Sequence, residues 1–152
     1  MKGNCSCGNV QFELTDKPMF VHCCHCRMCQ RQSGAAFALN ALIEVDKVHH
    51  HTGNLETIEL PSDKPQGQKV SRCPDCKTAL WSQYPGSGPK FYYVRVGTLE
   101  NPDACPPDIH IFTESKQPWV NLTGDTPVVA QFYDRNEMWP AESNKRRDAA
   151  LG

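Results

Sequence analysis

Nine cysteines among 152 residues are the feature that most constrains how this chain can fold. Seven of them fall into three tight groups: Cys5-x-Cys7, Cys24-x-Cys26-x-x-Cys29 and Cys73-x-x-Cys76. The first five residues contain no apolar stretch, so we expect no cleaved signal peptide and a cytoplasmic protein whose thiols stay reduced. An odd number of cysteines would also leave one thiol over in a complete set of disulfides. Reduced thiols in such groups are typical of metal ligands, and zinc is the expected metal.

The first and last groups together supply four thiolates, which is the donor set of a structural zinc ion. Cys73-x-x-Cys76 is expected to form a turn that places two sulfurs on one metal, and Pro74 stiffens this turn. In Cys5-x-Cys7, residues i and i+2 of an extended segment point the same way, and Gly8 allows a tight turn. The alternative is a redox dithiol at Cys73 and Cys76, but such dithiols normally precede a helix, and none is predicted there.

The middle group belongs to the segment His22-Cys23-Cys24-His25-Cys26-Arg27-Met28-Cys29. Cys24, Cys26 and Cys29 can supply three ligands from one loop. If Cys24 and Cys26 face a metal, the alternation of side chains in an extended segment predicts that Cys23 and His25 face away. Three thiolates would leave a coordination position open, as in catalytic zinc sites. A fourth ligand from the same loop would instead close the site, and the spacing alone leaves both interpretations open.

Short apolar runs separated by Gly and Pro residues predict a mainly β domain over residues 1–140, followed by a polar tail over 141–152. The predicted strands are 10–14, 35–45, 55–60, 69–72, 79–82, 91–96, 109–112 and 128–133. For the tail we expect a frayed helix or disorder, with the charges of 145–147 in solvent. The histidine tract 49–51 is expected to be a solvated turn rather than a metal site.

Charge and hydropathy exclude two classes of function. Sixteen basic and seventeen acidic residues give a formal net charge of −1, which argues against a dedicated nucleic-acid-binding protein. No apolar run approaches the roughly 20 residues that a membrane-spanning helix needs. The oligomeric state is not predicted by these features.

The ordered set of cysteine motifs resembles the glutathione-dependent formaldehyde-activating enzyme (GFA) family, whose domain is shared with centromere protein V. The resemblance spans roughly residues 3 to 133. It is carried by Cys5-Ser6-Cys7-Gly8, by Cys24-His25-Cys26-Arg27-Met28-Cys29-Gln30-Arg31 with Gly34-Ala35, by Cys73-Pro74-Asp75-Cys76, and by the segment from Ile109 to Trp119. One departure is Lys77, where the family usually has glycine, so we expect a left-handed backbone there or a different turn.

The resemblance implies an Mss4-like fold of short antiparallel strands stapled by two Zn²⁺ ions per chain. It implies a structural ion on Cys5, Cys7, Cys73 and Cys76, and a catalytic ion on Cys24, Cys26 and Cys29. The implied activity is that of a carbon–sulfur lyase, an S-(hydroxymethyl)glutathione synthase type of enzyme. Its partners would be a thiol such as glutathione and formaldehyde or another small aldehyde. The alternative is a non-catalytic protein-interaction module in which both ions only hold loops.

Three residues remain without an assigned role. Cys23 and Cys105 lie outside the ligand pattern and are expected to be buried small side chains, although a redox role beside the metal is open for Cys23. His110 is expected to be either a general base or a hydrogen-bonded structural histidine.

Overall fold

The computed structural model describes residues 1–62 and 65–152. Ten strands and three α-helices form within these ranges: β1 (Lys2–Asn4), β2 (Gln11–Leu14), β3 (Phe20–Cys24), α1 (Arg27–Ser33), β4 (Ala38–Glu44), β5 (Val48–Thr52), β6 (Glu56–Leu60), β7 (Gln68–Arg72), β8 (Ala79–Gln83), β9 (Phe91–Arg95), β10 (Ile109–Ile111), α2 (Arg135–Met138) and α3 (Ala141–Leu151). None of the helices in the described ranges has the length and apolar character that crossing a bilayer requires.

Two sheets build the body of the protein. The larger has the order β10-β3-β4-β9-β8-β7-β6, and the smaller has the order β1-β2-β5. All pairings are antiparallel except that of β10 with β3, which is parallel. The predicted mainly β fold of short antiparallel strands is therefore confirmed. Because β3 is buried along its whole length, both faces of this strand present side chains to the protein interior.

Most predicted strands are found. Strands β1 and β3 were not predicted, and three further segments differ from prediction. The segment 27–33, expected to be part of a loop, is helix α1. The histidine tract is exposed but lies in β5, paired with β2, rather than in a turn. The segment 128–133 contributes a single bridge, between Val128 and His110. Three of its carbonyl groups instead accept hydrogen bonds from the amides of the turn at 112–114. These carbonyl groups are therefore not free to pair with a neighbouring strand.

The C-terminal segment is also more ordered than predicted, because α3 packs on the sheet. The Ser143 hydroxyl donates to the Met19 carbonyl over 2.7 Å. Arg146 forms two hydrogen bonds with the Glu44 carboxylate, of 2.9 and 2.6 Å, and Glu44 is only 6% exposed. The expectation that the charge at 146 is solvated is therefore wrong. Its partner lies about a hundred positions earlier in the chain, a separation that local sequence reasoning does not cover.

Replacing Arg146 by methionine should leave the buried Glu44 carboxylate without its counter-ion. Breaking a buried ion pair from one side is strongly destabilising, and we expect a loss of about 3 kcal/mol in the free energy of unfolding. Urea denaturation at pH 7 measures this loss. The exposed neighbour Lys145, replaced by methionine, is the matched control and should change the free energy by less than about 0.5 kcal/mol. Equal stabilities of the two variants would contradict the ion pair.

The core has two parts, and each contains cysteines. One part includes Phe12, Trp81 and Val94 together with Cys5 and Cys73. The other includes Phe20, Phe91 and Trp139 together with Cys24 and Cys29. Thiols of the three cysteine groups are thus built into the packed interior, so the loops that carry them are fixed by the surrounding side chains.

His22 makes the second part of the core sensitive to acid. This side chain is 4% exposed, and its Nε2 atom lies 2.6 Å from the Tyr133 hydroxyl. Burial lowers the pKa of His22 from 6.5 to about 4. The unfolded chain therefore takes up this proton at a higher pH than the folded protein does. The resulting stability is present at pH 7 and is lost as the pH falls from about 6.5 towards 4, by up to about 3 kcal/mol.

The variant His22→Gln tests this acid sensitivity. We expect its free energy of unfolding to fall less steeply than that of the wild type between pH 6.5 and 4, because glutamine does not titrate. Loss of metal in acid affects both proteins, so the difference between their slopes isolates His22. Parallel pH dependences would show that the imidazole does not contribute.

Candidate metal centres

The first cluster consists of the four sulfurs of Cys5, Cys7, Cys73 and Cys76, which all lie within 4.8 Å of one another. The Sγ–Sγ distances are 3.4 Å from Cys5 to Cys7 and 3.8 Å from Cys7 to Cys73. Zinc–sulfur bonds of about 2.3 Å in a tetrahedron would separate the sulfurs by about 3.8 Å. The donor set and the spacing both fit a zinc ion held by four thiolates.

Two similar turns position these sulfurs. In the first, Gly8 adopts a φ of 77° and its amide donates to the Cys5 carbonyl over 3.0 Å. In the second, Lys77 occupies the corresponding place with a φ of 62°, and its amide donates to the Cys73 carbonyl over 3.1 Å. The left-handed backbone predicted for Lys77 is therefore present. A non-glycine residue in this conformation costs about 1 kcal/mol, which a folded domain tolerates.

Side-chain hydrogen bonds join the two turns. The Ser6 amide donates to the Thr78 hydroxyl oxygen over 3.2 Å, and the Asn9 amide group donates to Asp75 over 2.9 Å. The Thr78 hydroxyl also lies 3.1 Å from the sulfur of Cys76. This contact, together with the Thr78 backbone, lowers the pKa of Cys76 to about 5. The thiolate form that metal binding requires is therefore favoured at Cys76.

The second cluster consists of the thiols of Cys24, Cys26 and Cys29, which also lie within 4.8 Å of one another. Cys24 ends strand β3, and Cys26 caps helix α1, where its sulfur accepts a hydrogen bond from the Cys29 amide over 3.3 Å. Gly34 ends the helix with a φ of 65°. The Cys-x-x-Cys spacing thus makes a helix cap, and this cap brings the sulfurs of Cys26 and Cys29 together.

Hydrogen bonds within the second cluster favour a thiolate at Cys26. Hydrogen bonds from the thiols of Cys24 and Cys29 lower the pKa of Cys26 to about 2. The guanidinium of Arg95 acts electrostatically on Cys29. Arg95 is itself held by Asn40 and by the Ser82 hydroxyl, which accepts a hydrogen bond over 2.8 Å. No motif in the sequence distinguishes this arginine, because strand pairing brings its partners to it.

Cys23 and His25 lie on the other side of β3, as the alternation of side chains predicts. There they group with His110, and the three ligand atoms lie within 4.8 Å of one another. Cys105 is buried at 3% exposure, and its sulfur contacts that of Met1. Among the described residues, neither Cys105 nor the histidine tract belongs to any group that could hold a metal.

A cleft of about 720 Å³ runs along the outer face of α1. Arg27, Gln30 and Arg31 line it from the helix, and Gln117 and Trp119 line it from the opposite side. The sulfurs of the second cluster do not line the cleft, and helix α1, which contains Cys29, connects the two. Its lining within the described residues contains two arginines and no carboxylate.

Gln30 connects the cleft with the loop before α1. Its carboxamide nitrogen donates to the carbonyls of His25 and Ser115, over 2.7 and 3.0 Å. Its carboxamide oxygen accepts from Arg27 and Gln117, over 2.9 and 3.2 Å. The side chain therefore has all its hydrogen-bonding positions filled and fixes the helix against the segment that carries Trp119. The sequence includes Gln30 in the motif but does not reveal this role.

The two clusters differ in a way that matters for chemistry. The first offers four thiols, the donor set of a closed structural zinc site. In the second group, three thiols meet without a fourth cysteine, histidine or acidic residue from the described residues. Both clusters are consistent with zinc sites, and the assignment of each cysteine as a zinc ligand stays a prediction.

Comparison with known proteins places these features in a family. The family model described as "Glutathione-dependent formaldehyde-activating enzyme" matches residues 1–115. No curated protein matches the chain. A similar solved structure is the crystal structure of a Rhodobacter sphaeroides protein from structural genomics, with a TM-score of 0.52 and 28% sequence identity over 66% of this chain and 88% of that one. The sheets and cysteine clusters are those of the zinc-stapled Mss4-like fold. The chain belongs to the glutathione-dependent formaldehyde-activating enzyme family.

Proposed function

We propose that the protein is a carbon–sulfur lyase of the S-(hydroxymethyl)glutathione synthase type, which joins a thiol to formaldehyde or another small aldehyde. The observation that carries the proposal is the second cluster, a set of three thiols without a fourth ligand among the described residues. Of the three residues, Cys24 and Cys29 are buried and Cys26 is of intermediate burial, and we propose that a small thiol approaches from the Cys26 side. Family membership supports the reaction class, and the substrate itself is part of the proposal.

In this proposal Cys24, Cys26 and Cys29 hold zinc, which when bound lowers the pKa of a coordinated thiol. The substrate thiolate is the nucleophile. It attacks the aldehyde carbon, so that a carbon–sulfur bond forms while the carbonyl π bond breaks. The proton lost by the thiol ends on the former carbonyl oxygen as a hydroxyl group. Arg95 contributes positive charge next to the three cysteine thiolates, which limits the accumulation of negative charge there.

The cleft beside the cluster supports a substrate with carboxylates. Glutathione carries two carboxylates and one ammonium group, and guanidinium groups bind carboxylates with strong, charge-assisted hydrogen bonds. Arg27 and Arg31 supply such groups on helix α1, which Cys26 caps. Arg27 is oriented by its hydrogen bond to Gln30, so its position relative to the cluster is set by the packing of α1.

The activity is tested by the rate at which glutathione and ¹³C-labelled formaldehyde interconvert with their adduct, measured by exchange NMR. We expect the zinc-loaded protein to accelerate this exchange over the spontaneous reaction. The variant Cys26→Ala should abolish the acceleration, whereas Cys105→Ala, which changes a buried cysteine outside the clusters, should retain it. If a correctly folded protein with zinc in both cysteine clusters accelerates neither this reaction nor that of other small thiols, the enzymatic proposal is wrong.

The alternative, a protein-interaction module, is favoured by exposed aromatic side chains. Trp119 is 70% exposed and Phe132 is 61% exposed. Such side chains are enriched at protein interfaces. A module would retain both metal ions and the fold but would show no difference between Cys26→Ala and wild type in the exchange experiment.

A further inference from the structure

A third group of ligand atoms lies on the face of β3 opposite the Cys24 cluster. Cys23 and His25 are two positions apart in an extended segment, so their side chains point to the same side. Strand β10 runs parallel to β3 with His110 directly in register with Cys23. The His25 amide donates to the Ile111 carbonyl over 3.0 Å, which continues this pairing past the end of β3. The backbone therefore brings one thiol and two imidazoles together.

Two of the three distances within this group match those around a metal ion, and the third, from Cys23 to His110, is within 4.8 Å. The Cys23 sulfur lies 3.5 Å from Nε2 of His25, and that nitrogen lies 3.1 Å from Nδ1 of His110. Zinc bonds are about 2.3 Å long to sulfur and about 2.0 Å long to nitrogen. At tetrahedral angles these lengths place a sulfur and a nitrogen ligand about 3.5 Å apart, and two nitrogen ligands about 3.3 Å apart. The agreement is as close as in the four-cysteine cluster.

We propose that Cys23, His25 and His110 form a third metal site, which takes a divalent transition-metal ion such as zinc or cobalt. One thiolate and two neutral imidazoles give the occupied site a net charge of +1. Because three protein ligands leave a tetrahedral ion one further position, a water or an anion completes the coordination. Cys23 and His25 are buried, at 2% and 0% exposure, whereas His110 is partly exposed, so the ion enters from the His110 side.

The surroundings indicate that this site binds more weakly than the four-cysteine cluster. A metal-bound histidine usually donates its second ring nitrogen to an acceptor, and loss of that hydrogen bond weakens binding about 10–100-fold. Nδ1 of His25 is buried and has no hydrogen-bond partner among the described residues. We therefore expect the ion at this site to be the first to be removed by a chelator.

Titration of the metal-free full-length protein with Co²⁺ under reducing conditions tests the proposal. Thiolate-to-cobalt absorption counts the ions that are bound through sulfur, so surface histidines do not contribute. We expect three equivalents for the wild type, two for Cys23→Ser and two for His110→Gln. The matched control is Cys105→Ser, which changes another buried cysteine and should retain three equivalents.

Two results would overturn the third site. One is saturation of the wild type and of Cys23→Ser at the same two equivalents, which would leave the contacts of Cys23, His25 and His110 as a hydrogen-bonded cluster. The other is three equivalents in a folded Cys23→Ser or His110→Gln variant. If Cys23→Ser does not fold, His110→Gln decides, because this side chain is partly exposed and its loss disturbs the packing less. The decisive quantity is the difference in bound cobalt between the wild type and each variant. This difference does not depend on whether the Cys24 cluster is catalytic.

Discussion

Replacement of Cys73 by serine is expected to unfold the protein at neutral pH, or to lower its free energy of unfolding by more than about 4 kcal/mol. The cluster joins the turn at Cys5 to a turn in the middle of the chain, which are otherwise held together by packing and by a few exposed hydrogen bonds. Metal binding to such a site is linked to folding, because the unfolded chain does not offer the four thiolates together. Cys73 is fully buried, so serine also leaves a polar hydroxyl in the core.

Thermal or urea denaturation, with zinc analysis of the same samples, measures this effect. Cys105→Ser is the control, since it places the same substitution at another buried cysteine, and it should cost no more than about 2 kcal/mol. A Cys73→Ser protein that keeps its zinc and unfolds like the control would contradict the structural role of the four-cysteine cluster.

The second large effect is expected from Cys26→Ala, which should remove one zinc ion from the protein and leave the fold intact. Cys26 is partly exposed and lies at the start of a seven-residue helix, so its loss disturbs little of the core. Loss of the helix cap costs about 1 kcal/mol. Two thiols hold zinc far less firmly than three, so the ion should be lost on dialysis.

Metal analysis and circular dichroism of Cys26→Ala separate the two interpretations of this cluster. A drop of one zinc per chain with an unchanged spectrum supports a site that serves chemistry. Unfolding of the variant would instead assign a structural role to the second ion. The quantity to compare is the difference in zinc ions per chain between Cys26→Ala and the wild type, because the third site holds the same number of ions in both proteins.

The sequence predicted the cysteine grouping well because the pattern is local and chemically specific. The two cysteines of each motif need only a turn to approach each other. Gly8 marks the turn at Cys5 and Cys7, and Pro74 marks the turn at Cys73 and Cys76. The side of the strand on which Cys23 lies also follows from alternation alone. By contrast, helix α1 was missed because its cap is a cysteine rather than the usual serine, threonine or aspartate.

Other features depend on contacts between distant parts of the chain. His110 joins Cys23 because β10 pairs in parallel with β3, a pairing that no local signal reveals. The same holds for Arg146 and Glu44, and for Arg95 with Asn40 and Ser82. His110 and Arg95 belong to the surroundings of the cysteine clusters, and only a three-dimensional structure shows that they lie there.

The enzymatic proposal is tested most directly by measuring whether the Cys24 cluster binds a thiol from solution. Cobalt-substituted Cys23→Ser protein, in which the proposed third site is removed, is titrated with glutathione while the thiolate-to-cobalt absorption is recorded. We expect the absorption to increase and to saturate at one glutathione per chain, and we expect no such change when Cys23→Ser is combined with Cys26→Ala. An absorption that stays constant up to millimolar glutathione would show a cluster closed to thiols, and would contradict the proposed enzyme.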